Sequence, residues 1–161
     1  MATYQLRCEM LVPLGIEEVF SVFENPYNLI RITPPWLDFR VINGEPVTMR
    51  KGAEIHYTLK MKGVPMKWTT LITDYAPPFR FVDEQFKGPY TLWRHLHTFE
   101  ETLDGVLVKD AVDYILPMGP IGRIAQPMVK RDLLEIFRYR QAALAKMWGG
   151  ARITAPAITL L

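Results

Sequence analysis

Alternating apolar and polar positions open the chain. From Tyr4 to Val12, Leu6, Cys8, Met10 and Val12 fall on one side of an extended backbone and Gln5, Arg7 and Glu9 on the other, the pattern of a half-buried strand. Beyond Pro13 the period lengthens: Ile16, Val19, Phe20 and Phe23 recur at helical spacing, with Glu17 and Glu18 suited to a first turn. Asn25-Pro26 ends that helix, and a second short one is expected over Tyr27 to Ile32 before Pro34-Pro35 stops it. Period-two segments follow over Leu37 to Ile42, Ala53 to Lys62, Met66 to Tyr75, Phe79 to Phe86, Tyr90 to Glu101 and Val106 to Leu116. Their separators are turn chemistry, namely Lys51-Gly52, Gly63-Val64-Pro65, Pro77-Pro78, Gly88-Pro89 and Asp104-Gly105. From Pro120 to about Trp148 helical spacing returns, with Val129, Leu133, Ile136, Phe137, Leu144 and Met147 in one stripe. Pro127 predicts a kink or a fresh helix start inside that span.

Such short links exclude a parallel doubly wound sheet, because crossovers need a dozen or more residues. The order therefore predicts an α+β fold: a seven-stranded curved antiparallel sheet wrapped around the long C-terminal helix, with two short helices between strands 1 and 2. A sheet wrapped around a helix is not always filled by it, and the remainder becomes a cavity. One domain is expected over residues 1–148, followed by a flexible tail over 149–161. In that tail Ile158, Leu160 and Leu161 offer a surface to a second copy of the chain, in a homodimer.

Composition narrows the classes. At 161 residues, 49% hydrophobic and 22% charged, the chain can bury a substantial core and does not read as disordered. A formal charge of +2 without a block of Lys and Arg argues against nucleic acid. Cys8 is the single cysteine, so no intrachain disulfide forms, and its apolar face predicts a buried, inert thiol. No run approaches a membrane span, and the charged N-terminus does not read as a signal peptide, so a cytoplasmic protein without stable membrane insertion is expected.

The chemistry concentrates in Tyr90 to Glu101, where Trp93, His95, His97 and Phe99 stand at i, i+2 spacing and so share one strand face. Imidazoles buried without partners are costly, so the face reads as a pocket wall. If Asp104-Gly105 is a two-residue turn, Leu103 pairs with Val106, and counting back sets His97 opposite Val112 and His95 opposite Tyr114. Glu100 opposite Lys109 and Arg94 diagonal to Asp113 then mark the other face as solvated, which makes the histidine face the inner one. At Gly88-Pro89 a three-residue connection brings Asp83 and Gln85 to the histidine face and a two-residue one brings Val82 and Glu84. The former is favoured, since Pro is disfavoured as second central residue of a tight turn. Trp68 and Tyr57 are further candidates for the wall. Trp36, between Pro35 and the second strand, is a candidate gate or plug, and His56 falls on the outward face. A His-x-His metal site with Asp83 or Asp110 is conceivable, but no third ligand is fixed by spacing, and neither metal nor cofactor is expected. Lys130, Arg131, Arg138, Arg140 and Lys146 read as a solvated outer face of the last helix.

The stretches PYNLIRITPPWLDF, VDEQFKGPYTLWRHLHTFE and KDAVDYILPMGPIGRIA, with the closing EIFRYRQ, resemble a bacterial branch of the START-like superfamily, also called SRPBCC or Bet v 1-like. The resemblance covers roughly residues 1 to 148. It implies a helix-grip fold with a deep, largely apolar cavity, in a superfamily that holds lipid and sterol carriers, coenzyme Q-binding proteins, polyketide cyclases and dioxygenase subunits. The leading expectation is a protein that binds a small hydrophobic or amphipathic molecule, lipid-, quinone- or polyketide-like, through His95, His97, Trp93, Tyr114, Trp68, Asp83, Gln85, Trp36 and Tyr57. The alternatives are a cyclase- or dehydratase-like enzyme, with a histidine as base and Tyr114 polarising a carbonyl, and a protein-interaction module.

Overall fold

A computed structural model describes residues 1–161. Strand β1 (Tyr4–Val12) leads into helix α1 (Ile16–Phe23), which buries Ile16, Val19, Phe20 and Phe23, the four residues its spacing selects. Two 3-10 segments follow, Pro26–Ile32 and Pro35–Leu37. The first is capped by the Asn25 side chain, which accepts from the Tyr27 N–H at 3.0 Å. The second replaces the start of the expected strand over Leu37 to Ile42, leaving only β2 (Arg40–Val41). Then come β3 (Glu54–Met61), β4 (Val64–Ala76), β5 (Arg80–Lys87), β6 (Leu92–Thr102), β7 (Gly105–Ile115), the long helix α2 (Pro120–Trp148) and β8 (Arg152–Leu160).

All eight strands form one antiparallel sheet in the order β2-β3-β4-β5-β6-β7-β1-β8. The expected count of seven strands is corrected by β8: the segment read as a flexible tail pairs with β1. Pro156 falls at the irregularity opposite Arg7/Glu9, a place where a missing N–H does not break the ladder. There Gln141 of α2 donates to both the Glu9 and Thr154 carbonyls, at 3.2 and 2.9 Å, tying helix to sheet. Ile158, proposed for a partner surface, is instead buried in the core. Helix α2 runs unbroken through Pro127, so the expectation of a fresh start there is also corrected.

Register on β6 and β7 needs a second correction. The turn residues are Leu103-Asp104, with Thr102 paired to Gly105, so His95 faces Val112 and His97 faces Asp110, two residues off the expected ladder. A slip of two preserves side-chain parity, and the histidine face stays inward. Gly105 starts β7 instead of ending the turn. Its φ is +133°, and a Cβ there would overlap the Val12 carbonyl oxygen. Gly105→Ala is therefore expected to cost about 2–3 kcal/mol, read as a lower urea midpoint with unchanged slope. An unchanged midpoint would mean that β1 does not approach the turn this closely.

The inner face buries two apolar clusters. One gathers Met10, Val12, Phe20, Phe23, Phe81, Phe99 and Leu144 at the α1 end; the other gathers Leu6, Cys8, Trp68, Tyr90, Val112, Tyr114, Leu133, Phe137 and Ile158. β7 alternates without exception, with Val106, Val108, Asp110, Val112 and Tyr114 all buried. A bulge between Ile72 and Asp74 switches the parity of β4 and helps curve the sheet. No helix is long and apolar enough to cross a membrane.

Candidate functional site

A cavity of about 160 Å³ separates the two clusters. Its wall draws Phe23, Ile55, Ile72 and Phe81 from one cluster and Trp68, Tyr90, Leu133 and Phe137 from the other. The 3-10 segments and the residues after them contribute Pro26, Leu29, Thr33, Leu37 and Phe39. Of the 24 lining residues 17 are hydrophobic, so apolar contact dominates and the polar exceptions carry orientation.

The largest polar exception is formed by Asp83, His95 and His97, which are joined by Asp110, a residue outside the lining. His95 Nε2 lies 2.6 Å from Asp110 Oδ1, and His97 Nε2 lies 2.6 Å from Asp83 Oδ2. Diagonal approaches of 3.8 Å (His95 Nδ1 to Asp83) and 3.3 Å (His97 Nδ1 to Asp110) close the square. The two rings stack with centroids 3.7 Å apart and planes 25° apart, and the stack continues from His97 onto Phe81 at 4.1 Å. Strand pairing causes this: Asp83 lies opposite His95, Phe81 opposite His97, and Asp110 opposite His97.

Protonation follows from the geometry. Burial raises the Asp110 carboxyl, but the hydrogen bond from His95 and the close approach of His97 outweigh it and hold that group well below the usual range. For Asp83 burial again acts upward, and the His95 charge with the His97 bond carries it lower. Burial pulls both imidazoles down. In His97 the nearby Asp110 carboxylate and the bond to Asp83 prevail and its value rises, whereas in His95 burial and the neighbouring His97 charge prevail and its value falls. The two imidazoles are thus pushed apart, His97 toward the charged form and His95 toward the neutral one. Cys8 donates to Asp110 Oδ2 at 3.5 Å, and burial pushes its thiol upward, as expected of an inert side chain.

Asp83, His95 and His97 bring one ligating atom each within 4.8 Å of the others. Stacked imidazoles are nonetheless poorly placed for a shared ion, because ring lone pairs lie in the ring planes and an ion between the two would sit far out of both.

Of the residues expected in the site, His95, His97, Trp93, Trp68, Asp83 and Tyr57 line the cavity. Trp68 stacks on Tyr57 with centroids 5.9 Å apart and meets Trp93 edge-on at 5.5 Å. Tyr57 bonds Thr70 at 3.2 Å, and His56 lies on the outer side against Thr69. Three expectations are corrected. Tyr114 is fully buried and its hydroxyl accepts from Gln126 of α2 at 3.0 Å, away from the cavity wall. Gln85 shares the histidine face, as the favoured register requires, but its amide is spent on the Tyr90 N–H and carbonyl, where it closes the turn. Trp36 is 53% exposed and packs edge-on against Tyr139 at 5.8 Å, so it does not plug the sheet.

One residue read as solvated belongs to the site. Arg140 lines the cavity, its guanidinium carbon 4.9 Å above the Phe137 ring and its Nε buried without a partner. The signal was spacing: residue 140 is seven beyond Leu133 and three beyond Phe137, within the apolar stripe of α2. Trp68 Nε1 is likewise buried with no acceptor.

Solved structures share this fold. Protein CV1439 of Chromobacterium violaceum superposes with a TM-score of 0.68 at 13% identity, over 89% of this chain and 96% of its own. Protein Ms6760 of Mycobacterium smegmatis gives 0.65 at 14% identity, over 89% of each chain. The major latex-like protein 151 of Panax ginseng gives 0.59 at 16% identity, over 88% of this chain and 97% of its own. The likeness is one of fold. No family model matches the sequence, and no curated protein matches it either. The common ground with the ginseng protein, of Bet v 1 type, is a curved antiparallel sheet closed by a long C-terminal helix.

Proposed function

We propose that the protein binds a small hydrophobic or amphipathic molecule in the cavity between sheet and α2, as a ligand-binding member of the START-like superfamily. One observation carries the reading. Within a wall that is mostly apolar, three nitrogens, Trp68 Nε1, Arg140 Nε and His97 Nδ1, are buried with no hydrogen-bond partner in the protein. Buried donors are rarely left unsatisfied, and a bound molecule with oxygen atoms supplies what they lack. The fold shared with the Bet v 1-type ginseng protein agrees with such a role. A pure interaction module would have no use for an open cavity lined this way.

The test uses a neutral dye that fluoresces in apolar surroundings. Wild-type protein is expected to bind it saturably. Ile136→Trp, which places an indole in the cavity from α2, is expected to weaken binding at least about tenfold while the circular dichroism spectrum is kept. Binding that is untouched by this filling would place the dye elsewhere and remove the support.

A second reading, acid-base chemistry of the cyclase or dehydratase type, is favoured by His95. Its Nε2 is held by Asp110, its value is lowered, and its Nδ1 has no carboxylate oxygen nearer than 3.8 Å. That is the posture of a neutral base oriented from behind. The expected second catalytic group is missing, however, because the Tyr114 hydroxyl is engaged by Gln126.

A further inference from the structure

We infer that the ligand carries a carboxylate and that Arg140 receives it. The inference rests on the binding role proposed above and names the head group taken by the same site.

Arg140 is the one Lys or Arg among the residues that line the cavity. The wall's own carboxylate, Asp83, is committed to His97 at 2.6 Å and feels the Arg140 charge only at longer range, without an ion pair. The guanidinium carbon lies 4.9 Å from the centre of the Phe137 ring, and the Nε donor is buried without an acceptor. A cation in this setting has lost part of its hydration and has no direct ion pair, so its N–H donors are left for a bound group.

The planar fork of a guanidinium matches the two oxygens of a carboxylate in a bidentate pair. Thr70 and Tyr57 bond each other beside it, and Trp68 presents its spare indole N–H. The remaining wall is hydrocarbon and aromatic rings. Together these features select an amphipathic acid, with an apolar body among Ile55, Ile72, Trp93 and Leu133 and its acid group at Arg140. A neutral ligand of equal apolar area would leave the guanidinium unpaired.

The experiment displaces the neutral dye from full-length protein with decanoate and with decanol, which differ only at the head group. Decanoate is expected to displace it at least about tenfold more effectively than decanol from the wild type. In Arg140→Gln the ratio of decanoate to decanol affinity is expected to fall to about one, with the circular dichroism spectrum certifying that the variant is folded. Arg140→Lys, which keeps the charge but not the fork, is expected to fall between. Decanol binding as well as decanoate in the wild type, or both weakening equally in Arg140→Gln, would overturn the head-group assignment alone. If the dye binds and neither compound displaces it, or if the dye does not bind, the cavity-binding role fails as well.

Discussion

Asp110→Asn is expected to lower the unfolding free energy by about 3–5 kcal/mol at neutral pH, because it strips one charge from a buried, hydrogen-bonded ionic cluster and leaves the partners uncompensated. The carboxylate faces His95 Nε2 at 2.6 Å and His97 Nδ1 at 3.3 Å on one oxygen and accepts the Cys8 thiol on the other. An amide is neutral and turns a donor toward one of these groups. The loss should depend on pH with a definite sign. Asp83 and Asp110, held low, give stability that is complete above about pH 3.9 and lost as pH falls through their folded values. His97, raised, gives stability that is complete below about pH 6.5 and lost as pH climbs through its folded value. His95, lowered, costs stability as pH falls from about 6.5 toward its folded value, since only the unfolded chain takes the proton there. Wild-type stability is thus greatest around the ordinary imidazole value. Removing Asp110 takes away half of what holds the proton on His97, so the penalty should be larger at about pH 5.5 than at about pH 8.5. Urea denaturation of both proteins at the two pH values checks this. A loss below about 1 kcal/mol, or one that is equal at both, would mean the cluster contributes little beyond packing.

Ending the chain after Gly150 is expected to destabilise it by more than about 3 kcal/mol and to promote self-association. Ile158 alone buries a side chain worth about 1.5–3 kcal/mol in the cluster of Leu6, Cys8 and Tyr114. Gln141 would lose the Thr154 carbonyl, and β1 would become an unpaired edge with Gln5, Arg7 and Glu9 facing outward. Open edges template strand addition. Denaturation midpoints and light scattering at increasing concentration measure the two effects. A truncated chain with an unchanged midpoint would show that β8 does not dock on β1.

The sheet was legible because its evidence is periodic. Alternation in β1, β6 and β7 marks the inner face, and that face survived a register error of two residues at Leu103-Asp104, since only odd slips reverse it. The unread parts have separate physical causes. β8 carries Pro156 and buries only Pro156 and Ile158, so neither its pattern nor its composition signals a strand. Arg140 is a charged residue at a half-buried helical position, and residue type outweighed spacing in reading it. Tyr114 lies on the correct face, but its availability depends on where Gln126 of α2 comes to rest, a tertiary fact with no local signature. Trp36 was sited by its flanking prolines, which stiffen the segment without determining which way the indole packs. The histidine pair was visible from i, i+2 spacing; its pairing with two aspartates required the ladder.

The most direct measurement of the central claim is the indole N–H spectrum of uniformly ¹⁵N-labelled protein during titration with straight-chain alcohols from hexanol to dodecanol. Four tryptophans give four signals, which single Phe substitutions assign. If the cavity holds the ligand, the Trp68 and Trp93 signals should shift saturably and together, while that of exposed Trp36 stays in place. A titration that moves only Trp36, or no signal at any chain length, would contradict ligand binding between the sheet and the helix.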